Sequence, residues 1–242
     1  MKSYAELFRH SGASYHAAMV QYPRVRDAEF MAVTDLLPKD RSLQLLDVPA
    51  GGGYLRGYLP PKIQYTGLDF SGGFEQGESG IGVCTESNLG VPPASFDYVV
   101  CMASLHHVVE RTAFFAACYD TLHAGGKLII ADVIAGSKPA QFLNGFVDQN
   151  NSLGHEGDFI QSNRELNELS SIGFSVSEET ANYHWVFTNL TAAKEYFRLL
   201  FSLDKNPSDH GLEAAIQSLG CEEKGGKFKV NWQLGVMVAG KT

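Results

Sequence analysis

From Ser42 onward the chain alternates short β-rich runs with longer stretches of helical character, the order that builds a parallel sheet with crossover helices on its faces. The runs are Leu43 to Val48, Ile63 to Asp69, Ile81 to Cys84, Phe96 to Met102 and Lys127 to Val133. Strands covered on both faces should be apolar throughout. FDYVVCM and KLIIADV meet that condition, whereas IGVC is a weak strand. The pattern predicts a doubly wound α/β sheet, and 242 residues suffice for one such core but are short for two.

Between and after these runs the sequence predicts helices of unequal strength. Val108 to Leu122 carries apolar residues at helical spacing and stops before Ala124-Gly125-Gly126. Tyr54 to Leu59 must be short because Pro60-Pro61 follows, and Gly72 to Gly80 is too glycine-rich for a firm helix. Arg24 to Leu37 reads as an amphipathic helix closed by Pro38. Beyond the fifth strand come a helix over Pro139 to Asn151 and a second one opened by Ser162 and Glu165 at capping-box spacing and ended by Gly173. A strand from Phe174 to Phe187, helices over Thr191 to Leu203 and Leu212 to Leu219, and a last strand over Phe228 to Ala239 complete the chain.

A net charge of −8 with scattered Lys and Arg offers no basic surface for a nucleic-acid backbone and mildly favours a cationic ligand. No run approaches the length of a membrane span, and MKSYAELFRHSGASYH has no signal-peptide core. Cys84, Cys101, Cys118 and Cys221 show neither CxxC nor zinc-ligand spacing. They read as reduced, mostly buried thiols of a cytoplasmic protein, and no metal site is expected.

The residues that carry chemistry begin with LLDVPAGGGYL, residues 45 to 55, where a strand ends at Asp47 and passes into a glycine-rich turn. A nucleotide-like ligand on the carboxyl ends of parallel strands needs bare backbone where it approaches, and Gly51 and Gly53 supply it. A tight turn alone is the plainer reading. In YTGLDF, Asp69 ends the next strand, where an acid either accepts both hydrogen bonds of a ribose diol or caps a helix.

With these segments, SFDYVVCMASLHHV from Ser95 and LHAGGKLIIADV from Leu122 give an ordered set that resembles the motifs of class I S-adenosylmethionine-dependent methyltransferases of the small-molecule type, over about residues 43 to 133. The resemblance implies a mostly parallel seven-stranded sheet with an antiparallel last strand, S-adenosylmethionine as donor and S-adenosylhomocysteine as product. It also implies one domain over 1–242: an N-terminal helical cap (1–41), a cofactor-binding half (42–134), and a substrate-side half with a helical insertion and final hairpin (135–242). By position, Asp47 and the backbone of Ala50, Gly51 and Gly53 would line the methionine and ribose parts of the cofactor. Asp69 would hold the ribose hydroxyls with Phe70 against the adenine. Thr85 falls where the family reads the adenine amine with an acid, and Glu86 would replace it by a one-residue shift. Cys101 and Met102 would meet the amino-acid end through their backbone. Pro49 stands where the family has a glycine, which the loop tolerates if neither a positive φ nor an amide donor is needed there.

Alignment of an acceptor against a positively charged sulfur supplies much of the rate of methyl transfer, so few catalytic residues are required. His106 and His107 stand where the fourth strand opens toward the cofactor, and His107 is the candidate for proton transfer or for orienting the site. Asp132 would bind an acceptor hydroxyl or cap the following segment. Tyr15 would close over the site, while Arg24 and Arg26 read as solvated surface. Among the late aromatics, Phe146 and Trp185, with Asn150, His155 and His184 as polar partners, would form an apolar acceptor pocket. The reading is methyl transfer to O, N or C of a small, apolar or aromatic metabolite, without nucleic-acid or membrane partners. Two rivals are an NAD(P)-dependent oxidoreductase, disfavoured because the acid precedes the glycines and GxGxxG is lacking, and a non-catalytic S-adenosylmethionine-binding or scaffold protein.

Overall fold

In the computed structural model, residues 2–74 and 80–242 are described. Five parallel strands, β1 (Leu43–Asp47), β2 (Ile63–Asp69), β3 (Gly82–Val83), β4 (Phe96–Met102) and β5 (Leu122–Asp132), are followed by β6 (Phe174–Phe187), β7 (Cys221–Lys224) and β8 (Lys227–Lys241). The order across the sheet is β3-β2-β1-β4-β5-β8-β6, with β8 antiparallel to both neighbours. These seven strands are the expected sheet. The eighth, β7, pairs only with β8 through a turn at Gly225 and Gly226, both with positive φ, which a two-residue hairpin turn demands.

Alternation along the central strands sends side chains into two cores. Leu45, Val100, Ile129 and Ala131 belong to one face, and Leu46, Val99, Leu128 and Ile130 to the other, all fully buried. Each of the Leu, Ile and Val side chains among them contributes about 1.5–3 kcal/mol of transfer free energy, so removing either layer would undo the sheet. The first face is covered by α1 (Tyr4–Gln21), α2 (Asp27–Thr34), α7 (Leu190–Leu200) and α8 (Asp209–Ser218), the second chiefly by α3 (Arg111–Thr121) and α6 (Asn163–Ile172). The insertion after β5 runs through α4 (Lys138–Gln141), a π-helical stretch (Phe142–Val147) and α5 (Asp148–Asn150).

Three expectations need correction. Ala124-Gly125-Gly126 does not end α3. It lies inside β5, where Gly125 at φ +77 lets the strand shift register against β4 between Phe96 and Tyr98. Ser162 makes no cap: its hydroxyl donates to Glu178 at 2.6 Å, while Glu165 is buried against Arg111 and Arg164 at 2.5 and 2.6 Å. The helix predicted from Arg24 starts at Asp27, because Arg24 and Arg26 belong to the preceding turn. Gly72 to Gly80 falls partly outside the described residues. Among the described residues, no helix is long and apolar enough to cross a membrane, and the four cysteines are unpaired, Cys101 and Cys118 buried and Cys84 and Cys221 half-buried.

Candidate active site

The strand order reverses beside β1, whose neighbours are β2 on one side and β4 on the other, and a crevice opens at the carboxyl ends there. It is lined by Asp47, Pro49, Ala50 and Gly51 from the first turn and by Met102, Ala103 and Ser104 after β4, and it encloses about 490 Å³ including its mouth. Gly51 takes φ +55 and Gly53 φ +76, the left-handed region that glycine enters without cost. The Val48–Pro49 peptide is cis, and the loop is held by Ala50 N donating to Leu68 O at 2.7 Å and Val48 N to Val100 O at 2.9 Å. Neither a positive φ nor a donor is asked of position 49. Ala103, an L-residue at φ +50, is held left-handed by its amide donating to Ala131 O at 2.7 Å, and it forms part of the crevice wall. Nothing in its sequence context signals that strain.

Asp47 is buried and accepts a hydrogen bond from Tyr65 at 2.9 Å. Burial raises its pKa to about 7, with the Tyr65 hydroxyl opposing the shift and Asp69 adding to it. Asp69 stands at the tip of β2 as expected, but its carboxylate is fully engaged. Oδ2 accepts from the Tyr4 hydroxyl and the Gly51 amide, each at 2.8 Å, and Oδ1 from the Ser71 amide and hydroxyl at 2.8 and 2.6 Å. The phenol comes from α1, which docks so closely that a Cβ on Gly12 would lie 2.2 Å from Gly73 O.

Phe70 does not face the crevice. It packs edge-on against Tyr4 and Phe114 at 5.6 and 5.8 Å, and Phe74 lies over Gly51 instead. Thr85 and Glu86 are also used locally: the Thr85 hydroxyl closes a turn with Asn88, and Glu86 accepts from the amides of Val109 and Glu110 at 3.0 and 2.8 Å, satisfying donors at the start of α3. Cys101 is wholly buried in the sheet, with its thiol 3.4 Å from the Ser104 hydroxyl, and only Met102 of that pair reaches the crevice.

A second, larger chamber of about 720 Å³ shares Phe8, Tyr15, Arg26 and Ala103 with the crevice. Its far wall is apolar, built from Leu143, Val147, Leu200, Trp185 and Trp232, the two indoles stacked at 4.1 Å. Arg26 is buried here, contrary to the surface expectation. Its guanidinium donates to both carboxylate oxygens of Glu29 and to the Tyr15 hydroxyl, and lies over the rings of Phe30, Trp185 and Tyr15. Burial by itself would lower its pKa; Glu29 more than offsets this and keeps the charge. Trp185 Nε1 also donates to Glu29, at 2.6 Å. Arg24 is exposed and pairs with Asp27 at 2.5 Å.

Three histidines meet at the chamber. His106 and His107 follow β4, and His155 arrives from the loop after α5, with ring centroids 4.1, 5.5 and 4.9 Å apart for the pairs 106–107, 106–155 and 107–155. Asp132 does not face the chamber. It holds His106, accepting from Nδ1 at 2.7 Å and from the backbone amide at 3.0 Å, and it also accepts from Val133 N at 2.6 Å. Burial pushes the Asp132 carboxyl up, but His106 and the two amides bring it below its ordinary value. Burial, then the neighbouring imidazoles, lowers the pKa of His107; burial and His106 lower that of His155 to about 3. Nδ1 of His107 is buried without a hydrogen-bond partner.

Of the other acceptor-side expectations, His155 and Trp185 reach the chamber, and Phe146, Asn150 and His184 do not. Phe146 stacks on Phe142 at 5.7 Å, and Asn150 turns back to Phe146 O at 2.8 Å, leaving Asn151 to face the chamber. His184 lies one residue from Trp185 on a strand, so it points to the opposite face, 4.0 Å from Glu222.

Residues 46–130 match the model of a methyltransferase domain family. Over 111 residues the chain is 33% identical to a ubiquinone biosynthesis O-methyltransferase of Xanthomonas euvesicatoria, covering 41% of this chain and 46% of that protein. The chain thus spans about half the length of the curated relatives it matches. Among solved structures, an S-adenosylmethionine-dependent methyltransferase of Thermotoga maritima, described as a possible histamine N-methyltransferase, superposes with a TM-score of 0.63 at 15% identity, covering 98% of this chain and 99% of that one. A phosphoethanolamine N-methyltransferase of Haemonchus contortus, in complex with phosphomonomethylethanolamine and S-adenosylhomocysteine, gives 0.59 at 14% identity, over 96% of this chain and 57% of that one. The sequence motifs, the strand order and the matched domain together favour a methyltransferase over the dinucleotide oxidoreductase: over residues 46–130 the chain carries a methyltransferase domain, similar to the class I S-adenosylmethionine-dependent enzymes.

Proposed function

We propose that the chain transfers a methyl group from S-adenosylmethionine to a hydroxyl of a small aromatic or otherwise apolar molecule. One observation carries this: the crevice and the chamber share Phe8, Tyr15, Arg26 and Ala103, so a donor in one meets an acceptor in the other. The crevice residues fit the donor. Asp47 is an acid, with Asp69 buried behind Gly51, Arg26 is already neutralised by Glu29, and Gly51 bares its backbone, which suits a ligand carrying an ammonium and a sulfonium. The cofactor supplies the methyl group. Asp47 would hold its cationic end, Met102 and Ala103 would flank it through the backbone, and Asp69 would take the ribose diol in place of the Tyr4 hydroxyl. The chamber's apolar walls exclude water, and the Arg26–Glu29 pair and the histidines give an acceptor its polar contacts. The O-methyltransferase name of the matched relative favours oxygen over nitrogen or carbon.

The test is incubation with S-adenosylmethionine and a panel of phenols and hydroxylated quinols, read by mass spectrometry. Appearance of S-adenosylhomocysteine together with a methyl ether is the expected result. Tight S-adenosylhomocysteine binding without turnover of any acceptor would instead identify a binding protein without transferase activity.

A further inference from the structure

Beyond methyl transfer, we propose that His106, His107 and His155 form a site for one borderline divalent transition metal, of the zinc or cobalt type, with its open coordination position facing the acceptor chamber. One ring nitrogen of each residue lies within 4.8 Å of the others. A tetrahedral centre with metal–nitrogen bonds of about 2.0–2.1 Å needs nitrogens roughly 3.3 Å apart, so loading requires the three rings to close in.

The tautomers are already set for ligation. Nδ1 of His106 meets the Asp132 carboxylate at 2.7 Å, so with the imidazole neutral this nitrogen carries the proton and Nε2 has the free lone pair. The Asn144 side chain is fixed by donating to Gly157 O and accepting from Gly157 N, each at 2.8 Å; its oxygen therefore faces Nδ1 of His155 at 3.2 Å. That leaves Nε2 of His155 free in the same way. A carboxylate and an amide behind two imidazoles are the supports that metal-bound histidines use. His107 adds a buried Nδ1 with no partner, an unmet polar atom at the same place. Three uncharged nitrogen donors favour zinc, cobalt or nickel over magnesium or calcium, which take oxygen. Asp132 and Asn144 are not proposed as ligands.

The site stands or falls independently of methyl transfer. Protein stripped with chelator is titrated with Co²⁺, and the visible d–d absorption is read. One equivalent giving tetrahedral bands, displaced by Zn²⁺, is expected. His155→Ala should lower the affinity at least about 100-fold and Asn144→Ala about 10–100-fold, the range for a lost support. His184→Ala, on the other sheet face, should leave it unchanged. X-ray absorption on the zinc-loaded wild-type protein avoids any folding defect of the variants and should show imidazole nitrogens at about 2.0 Å. Absence of d–d bands in excess Co²⁺, bands unaltered in His155→Ala, or a sulfur ligand in the absorption spectrum would each overturn the proposal.

Discussion

The Tyr4 hydroxyl donates to Oδ2 of Asp69 at 2.8 Å across 65 residues of sequence, and so α1 holds the carboxylate proposed to meet the ribose. Tyr4→Phe removes this competitor and should tighten S-adenosylhomocysteine binding by calorimetry. A hydrogen bond to a charged group contributes about 1.5–3 kcal/mol, so a gain of up to roughly tenfold is expected after the cost of moving α1. Asp69→Ala should weaken binding by at least about the same factor. Weaker binding by Tyr4→Phe would mean that the phenol is part of the bound state.

Asp47 predicts a pH dependence. With its pKa near 7 in the free protein, a cationic ligand binds the ionised carboxylate. Affinity should rise with pH up to about 7 and then level off, falling toward tenfold per unit on the acid side. Because the folded pKa is raised, the group's contribution to the stability of the ligand-free fold is full below the ordinary carboxyl value and is lost as pH rises through about 7. Asp47→Asn should flatten both profiles, measured by calorimetry and thermal unfolding.

Breaking the buried Arg26–Glu29 pair leaves a charge without its partner. Glu29→Ala should cost about 3–5 kcal/mol, seen as a lowered midpoint in urea unfolding. It also orphans Trp185 Nε1. A loss below about 1 kcal/mol, the range of an exposed pair, would contradict the burial of Arg26.

Gly12→Ala sets a methyl 2.2 Å from the Gly73 carbonyl oxygen, a backbone atom that no rotamer can clear. α1 must lift, at about 1–3 kcal/mol. The same shift pulls Tyr4 from Asp69, so faster proteolysis within α1 should accompany the lowered stability; unchanged cleavage would argue against the close docking.

Much of the framework was legible in the linear chain. Strands β4 and β5 are apolar on both faces, and only a sheet covered on both sides buries such runs, so the architecture follows from local pattern. The placement of Asp47, Gly51 and Asp69 at the carboxyl ends of β1 and β2 was likewise readable, since the strand and turn chemistry there is local. The position of β6 was readable, although its Trp185 and His184 could not be assigned to faces without knowing which side is covered.

Tertiary packing decided the rest. Arg26 has the composition of surface and becomes core because Glu29, Tyr15 and Trp185 converge on it from three elements. Phe74 faces the crevice where Phe70 was expected, because α1 covers Phe70 and the turn after β2 aims Phe74 at Gly51. Asn150 and Asn151 are told apart only by the angle at which the insertion docks. The three histidines show no metal-ligand spacing, and Asp132 and Asn144 acquire their partners 26 and 11 residues away. Periodicity selects the face of an element, but which faces meet is settled by the joint burial of all of them.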